Sequence, residues 1–188
     1  MNTKKTRINK VVTKTGDKGY THLIGGRTII QCSRRIEAYG NVDELKSILG
    51  VVISQMQDNC KNESLKLKKI QNDLFIAGAD LAAPIKINSV RIQQSHIDNL
   101  ENLIAKYLKK LKPLKEFTLP GGCLAAAQTH FARTIARRTE RSIVKLSKNN
   151  KINPLLIIYF NRLSDVLFVL ARFINMKNKI KELYCNFK

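Results

Sequence analysis

The sequence predicts an all-α protein, a single five-helix bundle with an irregular amino-terminal phosphate-binding loop. Apolar residues recur at steps of three and four over stretches of roughly 17 to 25 residues, which is the spacing of buried helix faces. Short connectors join these stretches, as in antiparallel bundles, and strands do not alternate with helices. A chain of 188 residues with 44% apolar content supports one domain with a sizeable core. We assign 1–188 to this domain, with 1–30 as the loop segment and 31–180 as the bundle.

The loop segment is rich in Thr, Gly and Lys and shows no helical period. We predict short extended pieces at Val11-Val12 and Leu23-Ile24. Residues 13–21 combine small hydroxyls, glycines and lysines, and exposed N–H groups, hydroxyls and an ammonium group can hold a polyphosphate. The segment is not the Walker pattern and no clear strand precedes it. Taken alone, it is better interpreted as an ordinary turn.

Three helices are predicted in the first two thirds of the bundle, at 34–56, 64–83 and 95–111. The second is ended by Pro84. Its apolar stripe consists of Leu67, Ile70, Leu74, Ala77 and Leu81. The stripe of the third consists of Ile97, Leu100, Ile104, Tyr107 and Leu111. Both stripes indicate helices that bury one face.

Two longer helices complete the predicted bundle. The fourth begins near Gly122 and ends at about 146. The fifth begins with Asn153 as N-cap and Pro154 in the first turn, both favoured at those positions, and ends at about 177. Its stretch 155–171 is hydrophobic, but Asn161-Arg162-Leu-Ser-Asp165 lies in the middle. A membrane span would carry that charge at a large cost, so we predict a buried helix and no contact with membranes.

The net charge of +20 first suggests a nucleic-acid partner. Lysines occur from end to end, however, and Asn and Ile are abundant too, so a solvated basic surface is the favoured explanation and nucleic acid an unlikely partner. The cysteines are widely spaced, at Cys32, Cys60, Cys123 and Cys185. This spacing excludes the usual zinc patterns and suggests no disulfide framework. Reduced thiols in a cytoplasmic protein are the expected state.

An arginine-rich stretch marks the fourth helix. Arg133, Arg137 and Arg141 are four residues apart and share one helix side, and Arg138 and Glu140 lie between them. Arginine offers a planar fork of donors that suits phosphate oxygens.

The fifth helix carries a polar face of its own. Asn161, Asp165, Phe168 and Arg172 step by four, three and four, so the arginine row is expected to face inward, toward them. Buried polar groups need partners. An internal salt-bridge network and a ligand site both explain the two polar faces, and the period alone does not choose between them.

Six segments in order resemble the ATP:cob(I)alamin adenosyltransferases of the propanediol-utilisation type. The segments are Thr13-Lys-Thr-Gly-Asp-Lys-Gly, Glu37-Ala-Tyr-Gly-Asn-Val-Asp43-Glu-Leu, Ile70-Gln-x-x-Leu-Phe, Phe117-x-Leu-Pro-Gly-Gly, the arginine helix, and Phe160-Asn161-Arg-Leu-Ser-Asp165-x-Leu-Phe168. The resemblance covers nearly the whole chain. It implies a five-helix bundle that forms a homotrimer with active sites between subunits.

The resemblance also implies a reaction. The 5′-deoxyadenosyl group of ATP moves to the cobalt of cob(I)alamin, giving adenosylcobalamin and triphosphate. Co(I) is itself the nucleophile, so the protein must align the substrates and stabilise the departing triphosphate. Mg²⁺ on the phosphates is expected. A reductase that supplies the reduced corrinoid and an adenosylcobalamin-dependent enzyme that receives the product are the implied partners.

The resemblance assigns roles to individual positions. The implied ATP-binding residues are Thr13, Lys14, Thr15, Gly16, Thr21, His22, Arg137, Arg138, Glu140, Arg141 and Asn161. Arg137 is expected to stabilise phosphate charge, and Glu140 to orient an arginine or help place Mg²⁺. Arg133 is expected to pair with Asp43 of a neighbouring subunit. Phe117 resembles the aromatic residue that closes the lower face of the corrin and excludes its nucleotide base, and Phe168 would belong to the same apolar wall.

Some positions depart from the family pattern. Gln31 stands where a lysine is usual, Lys46 where an asparagine is common, and Thr139 where an alanine is common. His96 and His130 show no metal spacing, and we predict packing or surface positions for both. Two other functions fit parts of the sequence: a basic helical module that binds nucleic acid through phosphates, and a catalytically silent bundle that hands a corrinoid to a partner enzyme.

Overall fold

The computed structural model of the chain describes residues 12–187. The bounds of the helices are α1 Arg34–Ser54, α2 Lys61–Ala82, α3 Gln94–Leu108, α4 Leu124–Ser147 and α5 Leu155–Lys177. Two short strands precede them, β1 Tyr20–His22 and β2 Thr28–Ile30. The predicted helical fold class is confirmed, with a small sheet added to it. None of the described helices is long and apolar enough to cross a membrane.

The five described helices share one hydrophobic core. α4 packs against both α1 and α5, α2 packs on α1, and α3 packs on α5. The predicted stripe of α2 is buried throughout, from Leu67 to Leu81. In α3, Ile97, Leu100 and Tyr107 are buried, whereas the helix ends at Leu108, three residues before its predicted end. The apolar periodicity therefore located the helices more reliably than it located their ends.

The two strands form an antiparallel hairpin, with Tyr20 opposite Ile30 and His22 opposite Thr28. The prediction of extended structure at Leu23-Ile24 was wrong, because these residues lie in the turn between the strands. Leu23 is buried, and the Ile24 N–H donates to the Ala82 carbonyl over 3.1 Å. The hairpin is thus fixed to the carboxyl end of α2. Of the other predicted piece, Val11 lies outside the described residues and Val12 is in no strand.

The fourth helix starts at Leu124 and not at Gly122, as the sequence had suggested. Gly122 has φ +105°, and a Cβ there would lie 2.0 Å from Asn175 Oδ1. The position therefore needs the left-handed backbone and the absence of a side chain. The predicted cap of α5 is confirmed in part: the helix starts at Leu155, and Asn153 Oδ1 accepts a hydrogen bond from the Leu155 N–H over 3.1 Å.

Candidate functional site

A cavity of about 550 Å³ opens between α4, α5 and the connector that joins α3 to α4. The connector contributes Phe117, α4 contributes His130, Arg133 and Arg137, and α5 contributes Asp165 and Phe168. One wall is therefore aromatic and the other carries two arginines. Such a cavity suits a large ligand with an apolar face and polar substituents.

The aromatic wall consists of two phenylalanines in different environments. Phe117 is 75% exposed on the connector, so most of its large apolar ring lies open to solvent. Phe168 is partly buried against the core, and its ring centroid lies 6.2 Å from that of His130. The Arg172 guanidinium carbon lies 6.0 Å from the Phe168 ring centroid, within cation–π range.

The polar wall contains a half-buried arginine that lacks a partner. Arg133 Nε is buried and has no hydrogen-bond partner among the described residues. Burial, followed by the charge of Arg137, lowers the pKa of Arg133. A buried donor without an acceptor is costly, so this position favours a ligand or a subunit that brings an acceptor.

His130 lies on the same wall, one turn before Arg133. It is 4% exposed, and its Nδ1 has no partner within residues 12–187. Burial, and then the charge of Arg133, lowers the pKa of His130 to about 4. The imidazole is therefore neutral at neutral pH. The prediction of a packing or surface role for His130 was incomplete, because the residue also lines the cavity; its spacing of three from Arg133 was the available signal.

A second, smaller cavity of about 320 Å³ lies nearer the carboxyl end of α4 and the amino end of α5. Arg137, Glu140, Arg141 and Asn161 line it. Arg137 thus belongs to both cavities. Four of the residues assigned to ATP from the sequence meet in this place.

A hydrogen-bond chain orders the polar groups of the smaller cavity. Asn161 Nδ2 donates to Glu140 Oε1 over 3.0 Å, and Asn161 Oδ1 accepts from Arg162 Nη1 over 2.8 Å. The amide orientation of Asn161 is therefore fixed at both ends. Arg138 points elsewhere, since it pairs with Glu44 of α1 and lines neither cavity.

The period of α5 predicts that the arginine row faces the interior, and the structure shows that it does not. Arg137, Arg138 and Arg141 are exposed, and Arg133 is half-buried. Within the described part of the chain, no ion pair joins these four arginines to a carboxylate of α5. Arg133, Arg137 and Arg141 therefore line open cavities of the surface, and an internal salt-bridge network with α5 does not explain them.

The amino-terminal loop lies outside both cavities. Its hydroxyls are close together, with Thr13 Oγ1 and Thr15 Oγ1 2.8 Å apart, and Lys14 has φ 57°. Gln31 Nε2 reaches the Gly16 carbonyl over 3.4 Å. The loop therefore has the turn and the hydroxyl cluster expected of an anion site. Thr21 and His22 follow on β1.

Asp43 lies on α1 with its side chain 71% exposed. Its partner in the protomer is Lys46, whose Nζ lies 2.7 Å from Asp43 Oδ1. Lys46 Nζ also lies 3.9 Å from the centroid of the Phe75 ring. The residue that replaces the family's usual asparagine therefore pairs with the aspartate that the family resemblance singles out.

Among residues 12–187, no group of three or more His, Cys, Asp or Glu side chains could hold a metal ion by itself. Glu140 is the one acidic residue of the smaller cavity. Mg²⁺ on a nucleotide takes one or two carboxylates beside phosphate oxygens, so a single carboxylate at this place is compatible with that ion.

Comparisons with known proteins agree on one family. A family model described as cobalamin adenosyltransferase matches residues 11–174. A corrinoid adenosyltransferase of Bacillus subtilis is 40% identical over 173 residues, covering 91% of this chain and 89% of that protein. One of Citrobacter freundii is 42% identical over 167 residues, covering 87% and 93%.

The same family appears among solved structures. A variant of the PduO-type ATP:corrinoid adenosyltransferase of Lactobacillus reuteri, complexed with cobalamin and ATP, superposes with a TM-score of 0.91. It is 38% identical, and the match covers 95% of this chain and 97% of that one. Another variant of that enzyme, complexed with ATP, gives a TM-score of 0.89 at 38% identity, covering 94% and 100%.

Proposed function

The chain belongs to the cobalamin adenosyltransferase family, and from this premise we propose that the two cavities that meet at Arg137 bring its two substrates together. The chain transfers the 5′-deoxyadenosyl group of ATP to the cobalt of cob(I)alamin. A cobalt–carbon bond forms at C5′, the bond from C5′ to oxygen breaks, and the products are adenosylcobalamin and triphosphate. The observation that carries the proposal is that Arg137 lines both cavities.

The larger cavity is assigned to the corrinoid. A corrin ring presents a broad apolar face with amide side chains at its rim, and the cavity offers an aromatic wall opposite a polar one. Phe117 closes the lower face of the corrin, and Phe168 extends that wall. The exposure of Phe117 supports this role, since covering an exposed aromatic ring with a ligand is favourable.

Excluding the nucleotide base from the lower face has an electronic consequence. Without an axial donor, the cobalt orbital that must accept an electron falls in energy. Reduction of Co(II) to Co(I) then becomes easier, and this is the difficult step before adenosyl transfer. Phe117 therefore contributes to the reaction sterically, by excluding the base, and it transfers no proton and carries no charge.

The smaller cavity is assigned to ATP. Arg137 and Arg141 offer guanidinium donors to phosphate oxygens, and Asn161, oriented by Glu140 and Arg162, offers hydrogen bonds to the nucleotide. Negative charge accumulates on the triphosphate as the C5′ bond breaks. An arginine fixed beside that bond stabilises the transition state more than the ground state, which is what accelerates a reaction.

The remaining assigned residues fit a site that two subunits complete. We assign Thr13, Lys14, Thr15 and Gly16 to the triphosphate, with Thr21 and His22 beside them and Arg138 as a further ATP contact. The loop lines neither cavity of its own protomer, which favours a contribution to the neighbour's site in a homotrimer. Arg133 and Asp43, unpaired with one another in the protomer, would pair across the same interface.

Mg²⁺ would neutralise part of the phosphate charge when ATP binds. Glu140 is its candidate protein ligand, directly or through water, and its second oxygen is not used in the bond to Asn161. Glu140 then has two tasks, orienting Asn161 and placing the ion. The four cysteines are free thiols, which supports a reducing compartment, the cytoplasm. The reduced corrinoid requires a reductase, and the product requires an enzyme that accepts it.

An anaerobic assay with ATP and chemically reduced cobalamin tests the proposal. The spectrum of cob(I)alamin should be replaced by that of adenosylcobalamin, with one triphosphate released for each cobalt–carbon bond. Corrinoid binding without turnover would instead indicate a silent carrier, and steeply salt-dependent binding to DNA or RNA without turnover would indicate a nucleic-acid module. Either result would overturn the proposal.

A further inference from the structure

The carboxyl-terminal tail forms a two-stranded ribbon with the connector that carries Phe117. Thr118 lies opposite Tyr184 in an antiparallel bridge. The Leu119 N–H donates to the Leu183 carbonyl over 2.8 Å, and the Cys185 N–H donates to the Phe117 carbonyl over 2.8 Å. The tail therefore touches the backbone of the residue whose ring closes the larger cavity.

An aromatic contact continues the ribbon beyond its hydrogen bonds. The rings of Phe117 and Phe187 lie 6.4 Å apart, nearly perpendicular at 80°. This is the edge-to-face arrangement that aromatic pairs prefer. Phe187 is a diagonal neighbour of Phe117 across the two strands, so the position of one ring limits the position of the other.

One buried arginine of α5 binds both the tail and the start of the connector. The Arg172 side chain is 4% exposed. Its Nε and Nη2 reach the two Glu182 carboxylate oxygens at 2.7 and 3.1 Å. Nη2 also donates to the Lys112 carbonyl at the start of the connector over 2.9 Å. This two-pronged contact with a carboxylate fixes direction as well as distance.

Asn175, one helical turn after Arg172, fixes the other end of the connector. Its Nδ2 donates to the Gly121 carbonyl over 2.9 Å, and its Oδ1 accepts from the Cys123 N–H over 3.1 Å. Its own carbonyl accepts from the Ile180 N–H over 2.9 Å, where the tail begins. α5 thus holds both ends of the connector, and the middle with Phe117 is held by the tail.

We infer that Arg172 and Glu182 are positioning residues which hold the tail as a brace behind Phe117 and so fix that ring at the mouth of the larger cavity. Two short strands are marginally stable without further packing, so the brace needs an anchor, and the buried ion pair supplies it. Arg172 also lies over the Phe168 ring, so one guanidinium contacts Phe168 directly and holds Phe117 through Glu182 and the tail. The consequence for the corrinoid rests on the proposed function, whereas the brace itself does not.

Hydrogen exchange of the whole chain tests the brace without any assay of activity. In Glu182→Ala, the amides of Leu119 and Cys185 should exchange about tenfold faster than in the unaltered chain, because local opening becomes easier. Amides in α2 should keep their rates. Asp98→Ala removes a carboxylate from the exposed face of α3 and should leave the ribbon unchanged. Unchanged exchange at Leu119 and Cys185 in Glu182→Ala would overturn the inference.

Steady-state kinetics and corrinoid spectra then test the consequence. Glu182→Ala should raise the corrinoid KM or lower kcat by roughly tenfold to a hundredfold, the range expected when a reacting group is misplaced, and leave the ATP KM unchanged. Cob(II)alamin bound to it should lose the spectrum of the base-free form. Glu182→Gln, which keeps an acceptor, should lie between. Equal losses for ATP and corrinoid would indicate general destabilisation and would count against a positioning role.

A covalent replacement of the ion pair provides a rescue. Thr118 and Tyr184 are opposed between the two ladder bonds, where Cα atoms lie about 4.5 Å apart, a distance that a disulfide can bridge. In Glu182→Ala with Cys185→Ser, Thr118→Cys and Tyr184→Cys, oxidation should restore slow exchange and the corrinoid KM, and reduction should abolish both. If oxidation restored neither slow exchange nor the corrinoid KM, the brace would be overturned. An inactive unaltered chain that still shows the exchange pattern would overturn the proposed reaction alone.

Discussion

Asn161 Nδ2 donates to Glu140 Oε1 over 3.0 Å, and this bond joins α5 to α4 within the smaller cavity. The bond makes the two residues one unit: the carboxylate orients the amide, and the amide occupies one carboxylate oxygen. Because Asn161 Oδ1 also accepts a hydrogen bond from Arg162, rotating the amide by 180° would break both hydrogen bonds. A nucleotide in this cavity would meet groups that are already oriented, which lowers the cost of binding.

Exchanging the amide of Asn161 and the carboxylate of Glu140 should distinguish the effect of their mutual orientation on ATP binding from the effect of their charge. Asn161→Asp places two carboxylates at hydrogen-bond distance, and their repulsion should raise the ATP KM by about tenfold or more. Glu140→Gln alone should have a smaller effect on ATP. The double variant restores a donor and an acceptor with the roles reversed, so it should recover most of the loss. A double variant as poor as the sum of the single ones would show no coupling.

Arg137→Ala should be the most damaging change in the arginine row. The residue lines both cavities, and removal of one fixed donor from a developing charge costs about a hundredfold or more in kcat. Arg137→Lys should recover part of the rate, since it keeps the charge but loses the fork. Lys145→Ala, an exposed cation of the same helix that lies 3.9 Å from Glu37, is the control. Full activity of Arg137→Ala would contradict the mechanism.

Gln31 stands beside the amino-terminal loop, with its Nε2 3.4 Å from the Gly16 carbonyl and 3.5 Å from that of Tyr20. Gln31→Lys adds a cation at the position where the family usually has one. If the loop holds triphosphate, the ATP KM should fall by about two- to fivefold, as an exposed charge pair contributes up to about 1 kcal/mol. The effect should shrink as salt is added. Gln31→Met serves as the uncharged control, and an unchanged ATP KM in Gln31→Lys would place the phosphates elsewhere.

Lys46 competes for the aspartate that we assign to the subunit interface. Although the Lys46 side chain is only 16% exposed, the Asp43 side chain of this pair is 71% exposed, so breaking the pair costs on the order of 1 kcal/mol. Lys46→Asn should therefore strengthen assembly and lower the corrinoid KM by at most about fivefold. Asp43→Asn should weaken assembly and raise the corrinoid KM. Sedimentation across a dilution series, with corrinoid kinetics at the same concentrations, measures the two effects. Weaker assembly of Lys46→Asn would show that Lys46 supports the interface.

Local periodicity and distant contacts explain which features the sequence could predict. The stripe of α2 follows from spacing alone, since each member is buried by the same rotation of the helix. The start of α4 could not be found this way, because the backbone of Gly122 is set by Asn175, which lies on another helix. The turn at Leu23 depends similarly on the end of α2.

The site residues also divide into those that the sequence predicts and those that depend on distant contacts. The resemblance assigns roles to Arg137, Glu140, Arg141 and Asn161, and these four residues line one cavity. The Arg172–Glu182 pair and the cavity position of His130 were missed. Both depend on which elements pack together, and nothing in the local spacing of Glu182 indicates a buried arginine as its partner.

His130 should make the stability of the protein depend on acid pH. Its pKa is about 4 in the folded protein because of burial and Arg133, and about 6.5 in an unfolded chain. The unfolded state therefore binds more protons between these values, so stability should fall as the pH drops from about 6.5 to 4, by about 3 kcal/mol in total.

Chemical denaturation at fixed protein concentration measures this dependence, since the concentration of an oligomer changes its apparent stability. In His130→Gln, the fall in unfolding free energy over this interval should be smaller by that amount than in the unaltered chain. His96→Gln, at a partly exposed position in the first turn of α3, should follow the unaltered chain. An equal pH dependence of the unfolding free energy in His130→Gln and the unaltered chain would mean that the imidazole does not stay neutral in the cavity. It would then gain a hydrogen-bond acceptor on assembly, such as a group from a neighbouring subunit.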